Sequence, residues 1–300
     1  MTSAAIIERR KAKAVKLNND LKTFVEQYDT EDDWKTYLDI ISHFRQYSAR
    51  NIMLIHGQCP NASRVAGFRK WGELGYRVRK GEHGIKIFGF TRVGGNNKNT
   101  DNDDQDKDEE NKKSTSYVYF PVLTVFDRSQ VDAVDENALN TDPSQHHMLD
   151  GDDNAQLLPI LVKVGESMGY DITFDHTGLG DAHGRTSFGI NGAKRITVSD
   201  QLSPAHQVKT MLHELAHAYL HAGTTEKPCE LERSIKECEA ESVAYCVAGA
   251  LGIDTSDYSV HYVAHWSNKN KDEVLLGIAH RVKECSFALL DMIEDMSNEK

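Results

Sequence analysis

The sequence predicts an α+β fold in two parts, an N-terminal α/β module followed by a domain organised around long helices. Three observations predict it. Residues 75–88 and 117–126 alternate apolar and polar side chains as half-buried strands do, behind stretches with helical spacing. Residues 207–223 and 235–249 carry apolar residues at helical spacing instead. Two polar stretches interrupt these patterns: 94–116, too poor in apolar surface to offset its ordering entropy, and 132–154, between the halves. The 300 residues suffice for two domains, each with its own core. The expected division is 1–131, a linker 132–154, and 155–300, with 94–116 a disordered acidic insertion inside the first domain.

In chain order, helices are expected over residues 5–28 and 34–44. Gly75–Phe88 reads as a β-hairpin, and Tyr117–Phe126 resumes the sheet after the insertion. The second domain should open with a helix at 157–168 and a strand at 171–175. Arg185–Ile190 and Ala193–Val198 form a hairpin if Asn191-Gly192 is its two-residue turn. Ser203 is placed to cap the next helix, Pro204 suits its first turn and Gly223 its end. A further helix over 235–249 and a closing one near 271–296 complete the domain. No apolar run approaches membrane length, and the first residues lack a secretory pattern. Five cysteines without a CxxC pair fit reduced thiols, so a cytoplasmic protein with no membrane partner is expected.

The chemistry is concentrated in His213-Glu214-Leu215-Ala216-His217. On a helix, residues four apart share a face, so His213 and His217 can hold one zinc ion. Glu214 then sits beside a water on that metal, placed to take its proton as general base. A hydrolytic site needs a third ligand, and the next helix supplies Glu237, Glu239 and Glu241 in a segment otherwise small and apolar. Glu237 and Glu241 share one face and Glu239 points elsewhere, as a solvated group or local salt-bridge partner. Zinc suits two histidines and a carboxylate, with manganese or cobalt as alternatives set by availability. For the oxyanion, His183, Tyr219, His221 and Tyr245 are candidates.

HExxH followed by Glu237-Cys-Glu-Ala240-Glu241 resembles the gluzincin metallopeptidases, whose second helix reads E-x-x-A-D/N/E. The resemblance implies a zincin-like domain with Glu237 as third ligand. It also implies that Glu241 orients a ligand histidine from behind, and that the 185–198 hairpin aligns an extended peptide.

The front half has a different character. Residues 1–95 carry 17 Lys/Arg against 10 Asp/Glu, a net of +7, whereas residues 117–300 carry 14 against 29, a net of −15. A basic module on an acidic domain points to a polyanion at the front end. Phe44, Tyr47, Phe68, Trp71, Tyr76 and Phe88 are interleaved with Arg45, Arg50, Arg64, Arg69, Lys70, Arg77, Arg79, Lys80 and Lys86. Cations beside stacking rings are what single-stranded nucleic acid requires.

Phe44-x-x-Tyr47-Ser48-x-x-Asn51, Val65-x-Gly67-Phe68-x-x-Trp71 and Lys80-Gly81-Glu82-x-Gly84-Ile85 resemble the N-terminal domain of ArdC-type antirestriction proteins. That resemblance implies a single-stranded-DNA-binding domain ahead of a metallopeptidase domain, on a protein of mobile elements. By analogy, Arg69, Lys70, Trp71, Arg77, Arg79 and Lys80 are the DNA contacts, and a DNA-bound protein or restriction enzyme is the target. Two other functions fit the same residues: a regulatory metalloendopeptidase that cleaves a repressor, and a DNA-binding scaffold with a structural zinc.

Overall fold

A computed structural model describes residues 3–89, 91–93, 117–119, 121–134, 157–189, 192–222, 233–255, 258, 260 and 271–298. The fold is α+β, as expected. It opens with α1 (Ser3–Glu26), α2 (Glu31–His43) and α3 (Ala49–Gln58). Thr30 and Asp33 cap α2 reciprocally, and Ser48 caps α3.

A small β region follows: β1 (Val65–Gly67), α4 (Phe68–Glu73), β2 (Tyr76–Val78), β3 (Ile85–Phe88), β4 (Thr91–Val93), β5 (Tyr117–Tyr119), β6 (Val122–Asp127) and β7 (Val131–Ala133). β6 is the central strand of a three-stranded antiparallel sheet, flanked by β1 and β3. The hairpin expected over 75–88 does not form. β2 pairs with β7 instead, Tyr76 opposite Ala133, and β3 pairs with β6, Ile85 opposite Val125. Alternation reveals which face of a strand is buried but not its neighbour, and each strand found one further along the chain. β7 also carries the first part past residue 131: Val134 N–H still donates to the Gly75 carbonyl at 2.8 Å. The expected disordered insertion, and the expected linker beyond residue 134, lie outside the described residues.

The second part holds α5 (Leu157–Ser167), β8 (Asp171–Phe174), β9 (Gly184–Phe188), β10 (Lys194–Val198), α6 (Pro204–Leu220), α7 (Arg233–Ala250) and α8 (Lys271–Asn298). β10 lies between parallel β8 and antiparallel β9, so β9 is an edge strand. The β9–β10 hairpin closes with Gly192 N–H on the Gly189 carbonyl, Gly189 N–H on the Ala193 carbonyl, and Gly192 at φ +80°. Asn191, the first residue of the two-residue turn expected, lies outside the described residues.

The expectation of two separate cores fails. One apolar cluster runs from Trp34, Ile41 and Ile52–Ile55 of the front helices to Leu212, Leu215, Val243, Val247 and Ile278. Trp34 Nε1–H donates to Ser242 Oγ at 2.9 Å, and Tyr245 O–H to Asp39 at 2.8 Å. The sheet around Trp71 keeps only a satellite cluster with Tyr76 and Val131. Cys59, Cys238, Cys246 and Cys285 are free thiols, and burial pushes Cys238 up to about 12. Among the described residues, no helix is long and apolar enough to cross a membrane.

Candidate metal centre and nucleic-acid face

α6 begins at Ser203, whose hydroxyl accepts from His206 N–H, and Pro204 occupies its first turn, as expected. Val208, Met211, Leu212, Leu215 and Ala216 bury one side of the helix. His213, His217 and His221, at successive fourth positions, line an open cleft of about 1000 Å³ on another. α7 packs along α6 and presents Glu237 to the same point.

His213 Nε2 and His217 Nε2 are 3.0 Å apart, and Glu237 Oε2 is 3.5 Å from each. These are the described residues whose donor atoms converge as a metal site requires. The electrostatics agree. His213 and His217 hold the Glu237 carboxyl far below the usual carboxylate range, against the opposing effect of burial. Burial opposes a charge on His213, but Glu237, with Glu214 and Glu241 behind it, outweighs that and raises its pKa. Glu241 lines the cleft as well.

Glu214 is buried within this wall, on the side of β9. Thr186 Oγ1 lies 2.7 Å from Glu214 Oε2 and 3.0 Å from its main-chain carbonyl, donating to this pair. A Cβ at Gly184 would fall 2.8 Å from Glu214 Oε1 and 2.6 Å from Thr210, so only glycine leaves room for the carboxylate. The 185–198 hairpin therefore borders the site. Its odd-numbered residues bond to β10, as His183 does to Ser199, which leaves the backbone groups of Gly184, Thr186 and Phe188 on the open edge.

Sequence reasoning misplaced one glutamate. Glu239 is not solvated: it is fully buried, and its second carboxylate oxygen is 3.0 Å from His221 Nε2. Its first lies 2.5 Å from Arg281 Nε, on α8. The His221 ring in turn reaches the ligand set, with Nδ1 2.9 Å from His217 Nδ1. The signal for Glu239 was its apolar surroundings, which make an unpaired charge costly, but its partner lies 42 residues further along the chain. Of the oxyanion candidates, His183 lines the cleft, Tyr245 is turned away to Asp39, and His221 is engaged with His217 and Glu239.

The front face is less convergent. Trp71, expected at the DNA, is fully buried, and its Nε1–H donates to the Phe126 carbonyl at 2.8 Å. A ring with no exposed face cannot stack on a base, so that expectation is corrected. Its neighbour on α4, Phe68, is 65% exposed. Arg69 and Lys70 both pair with Glu73 at 3.4 Å. Arg79 is held by Glu82 and Asp132 at 2.9 and 3.2 Å. Arg77 and Lys80 are exposed. A cation–ring pair, Arg50 over Phe88 at 5.7 Å, borders a cleft of about 680 Å³ between α1 and α3.

Residues 12–126 match the N-terminal domain of anti-restriction factor ArdC, and residues 163–284 match the IrrE N-terminal-like domain of peptidase group M78. An uncharacterized protein of Bacillus anthracis is 27% identical over 301 residues, spanning 93% of this chain and 51% of its own. The chain thus spans about half the length of that curated relative. Two crystal structures of the antirestriction protein ArdC from R388 plasmid share the fold at a TM-score of 0.50. The metal-free one is 17% identical and covers 83% of this chain and 86% of its own; the Mn(II)-bound one is 19% identical and covers 84% and 86%.

Proposed function

We propose, for a chain that joins an ArdC-type antirestriction domain to an IrrE-like metallopeptidase domain, that it binds single-stranded DNA and carries a zinc-dependent peptidase centre. The convergence of His213, His217 and Glu237 on one point, with Glu214 beside them, carries this reading. Two imidazole nitrogens 3.0 Å apart and a carboxylate oxygen 3.5 Å from both form a donor set that suits one cation with a position left open. Zinc fits these ligands best. Manganese and cobalt fit them too, in keeping with the Mn(II)-bound ArdC relative. When bound, such a metal supplies a Lewis acid and an acidified water.

The chain's own residues do the rest. Glu214 takes the proton, held in place by the Thr186 hydroxyl on one oxygen and by close packing of Gly184 on the other. Glu241 and Glu237 keep the cleft negative around His213. The open edge of β9 lays out an extended peptide beside Glu214, and the substrate is a DNA-bound protein or a restriction enzyme. At the front, Phe68 offers a stacking face while Arg77, Lys80, Arg69 and Lys70 follow the phosphates. The setting is the cytoplasm of a cell that carries a mobile element.

The test compares the parent with Glu214→Gln for restriction protection, for cleavage of DNA-bound proteins and for binding of single strands. Cleavage should fall by about 10²–10⁴, the worth of a positioned general base, while DNA binding stays unchanged. Full protection by Glu214→Gln would show that proteolysis is not what protects, and would leave that task to DNA binding.

A further inference from the structure

We infer that His221, Glu239 and Arg281 form a hydrogen-bonded chain that fixes the tautomer and orientation of His217, making His221 a positioning residue of the metal centre. The inference rests on the metal-site reading above and adds residues that this reading does not use. Arg281 Nε lies 2.5 Å from Glu239 Oε1, Glu239 Oε2 lies 3.0 Å from His221 Nε2, and His221 Nδ1 lies 2.9 Å from His217 Nδ1. The remaining ring nitrogen, His217 Nε2, faces His213 and Glu237. Arg281 reaches Glu239 Oε1 through both Nε and Nη2, the later links are single pairs of atoms, and the chain ends on a ligand.

The proton positions follow from what each group can offer. Glu239 pairs through one oxygen with the Arg281 guanidinium, so its other oxygen serves as the acceptor for His221. His221 Nε2 therefore carries a proton and donates to it. A His217 ring that offers its Nε2 lone pair to a metal keeps its proton on Nδ1, which makes His221 Nδ1 the acceptor of that proton. His217 must then donate from Nδ1, and its own lone pair is delivered to Nε2, where the metal is held. The opposite arrangement puts the lone pair of His221 Nε2 against the Glu239 carboxylate at 3.0 Å, two acceptors in contact. Only one direction of donation satisfies every atom and leaves the His217 Nε2 lone pair for a metal. An imidazole whose distal N–H is held this way is a better-oriented and more basic ligand. The chain also explains why α8, which holds no ligand, contributes Arg281 to this end of the cleft.

The test uses the full-length protein in two independent measurements. Long-range nitrogen–proton NMR of the histidine rings, on metal-free protein above the imidazole range, should show His217 as the Nδ1–H tautomer and His221 as the Nε2–H tautomer. The reverse assignment at either ring overturns the chain. Second, zinc affinity is measured by chelator competition for the parent, His221→Leu and His221→Gln, with folding checked by circular dichroism. Leucine can neither accept nor donate, and should weaken zinc binding by about 10–100-fold. Glutamine can accept from His217 and donate to Glu239 through its amide, and should recover most of the loss. A folded His221→Leu protein that binds zinc as tightly as the parent overturns the positioning role and leaves the metal centre standing. A parent that binds no zinc, manganese or cobalt overturns the metal-centre reading and this inference with it. Should His221→Leu fail to fold, the NMR tautomers of the parent and the zinc affinity of His221→Gln still decide the matter.

Discussion

The metal cleft and the basic front face both gather charged side chains, but they use them in opposite ways. In the cleft, groups at the HExxH centre have a second group behind them: Thr186 and Gly184 behind Glu214, His221 and Glu239 behind His217, Arg281 behind Glu239. On the front face the cations point outward, and several are matched to acids within their own turn, as Arg69 and Lys70 are to Glu73. Burial accounts for the difference. A charge taken out of water needs a fixed partner, and that partner fixes it in turn. An exposed ion pair contributes little and leaves both side chains free to trade partners. A reacting centre requires the first arrangement, and a surface that follows a flexible polyanion is served by the second.

Five substitutions sharpen or break this contrast. The largest effect should come from Trp71→Ala, which empties the satellite core and should cost about 3–5 kcal/mol of stability by denaturant midpoint. Unchanged stability with lost DNA affinity would return Trp71 to the binding face. Next, Gly184→Ala should displace Glu214 or Thr210 and destabilise by about 1–3 kcal/mol, with cleavage lost before the fold is. Full cleavage by this variant would show that the carboxylate tolerates a shift. Phe68→Ala should weaken single-strand binding by about 1–3 kcal/mol with no change in melting temperature, since the ring is 65% exposed. A smaller effect belongs to Lys80→Ala, which should reduce the slope of log affinity against log salt by about 0.7. Arg79→Ala should reduce that slope less, because Glu82 and Asp132 already occupy its guanidinium. Equal slopes for the two variants would mean that DNA displaces those acids.

What was legible in the sequence depended on the distance between partners. The i,i+4 spacing of His213 and His217 is a property of any helix, and the flanking apolar stripe and Ser203-Pro204 start establish that helix locally. Choosing Glu237 over Glu241 already required a resemblance, since the two share a face. Trp71 and Phe68, three residues apart on one short helix, could not be told apart, because what buries Trp71 is Tyr76 and Val131 from two other strands. Strand pairing failed for the same reason. β2 and β3 each alternate correctly, but their partners, β7 and β6, lie beyond the acidic insertion.

The sequence by itself determined the two-part α+β order, the HExxH helix, the glutamate helix beside it and the basic character of the front half. These are features of composition and of periodicity within one element, and neighbouring residues encode them directly. The tertiary structure alone decided that the front helices share a core with the HExxH part, that Trp71 faces inward and Phe68 outward, and that Glu239 is buried against His221 and Arg281. Each of these depends on atoms from elements far apart in the chain. Their cost or benefit arises only when packing removes water from between them.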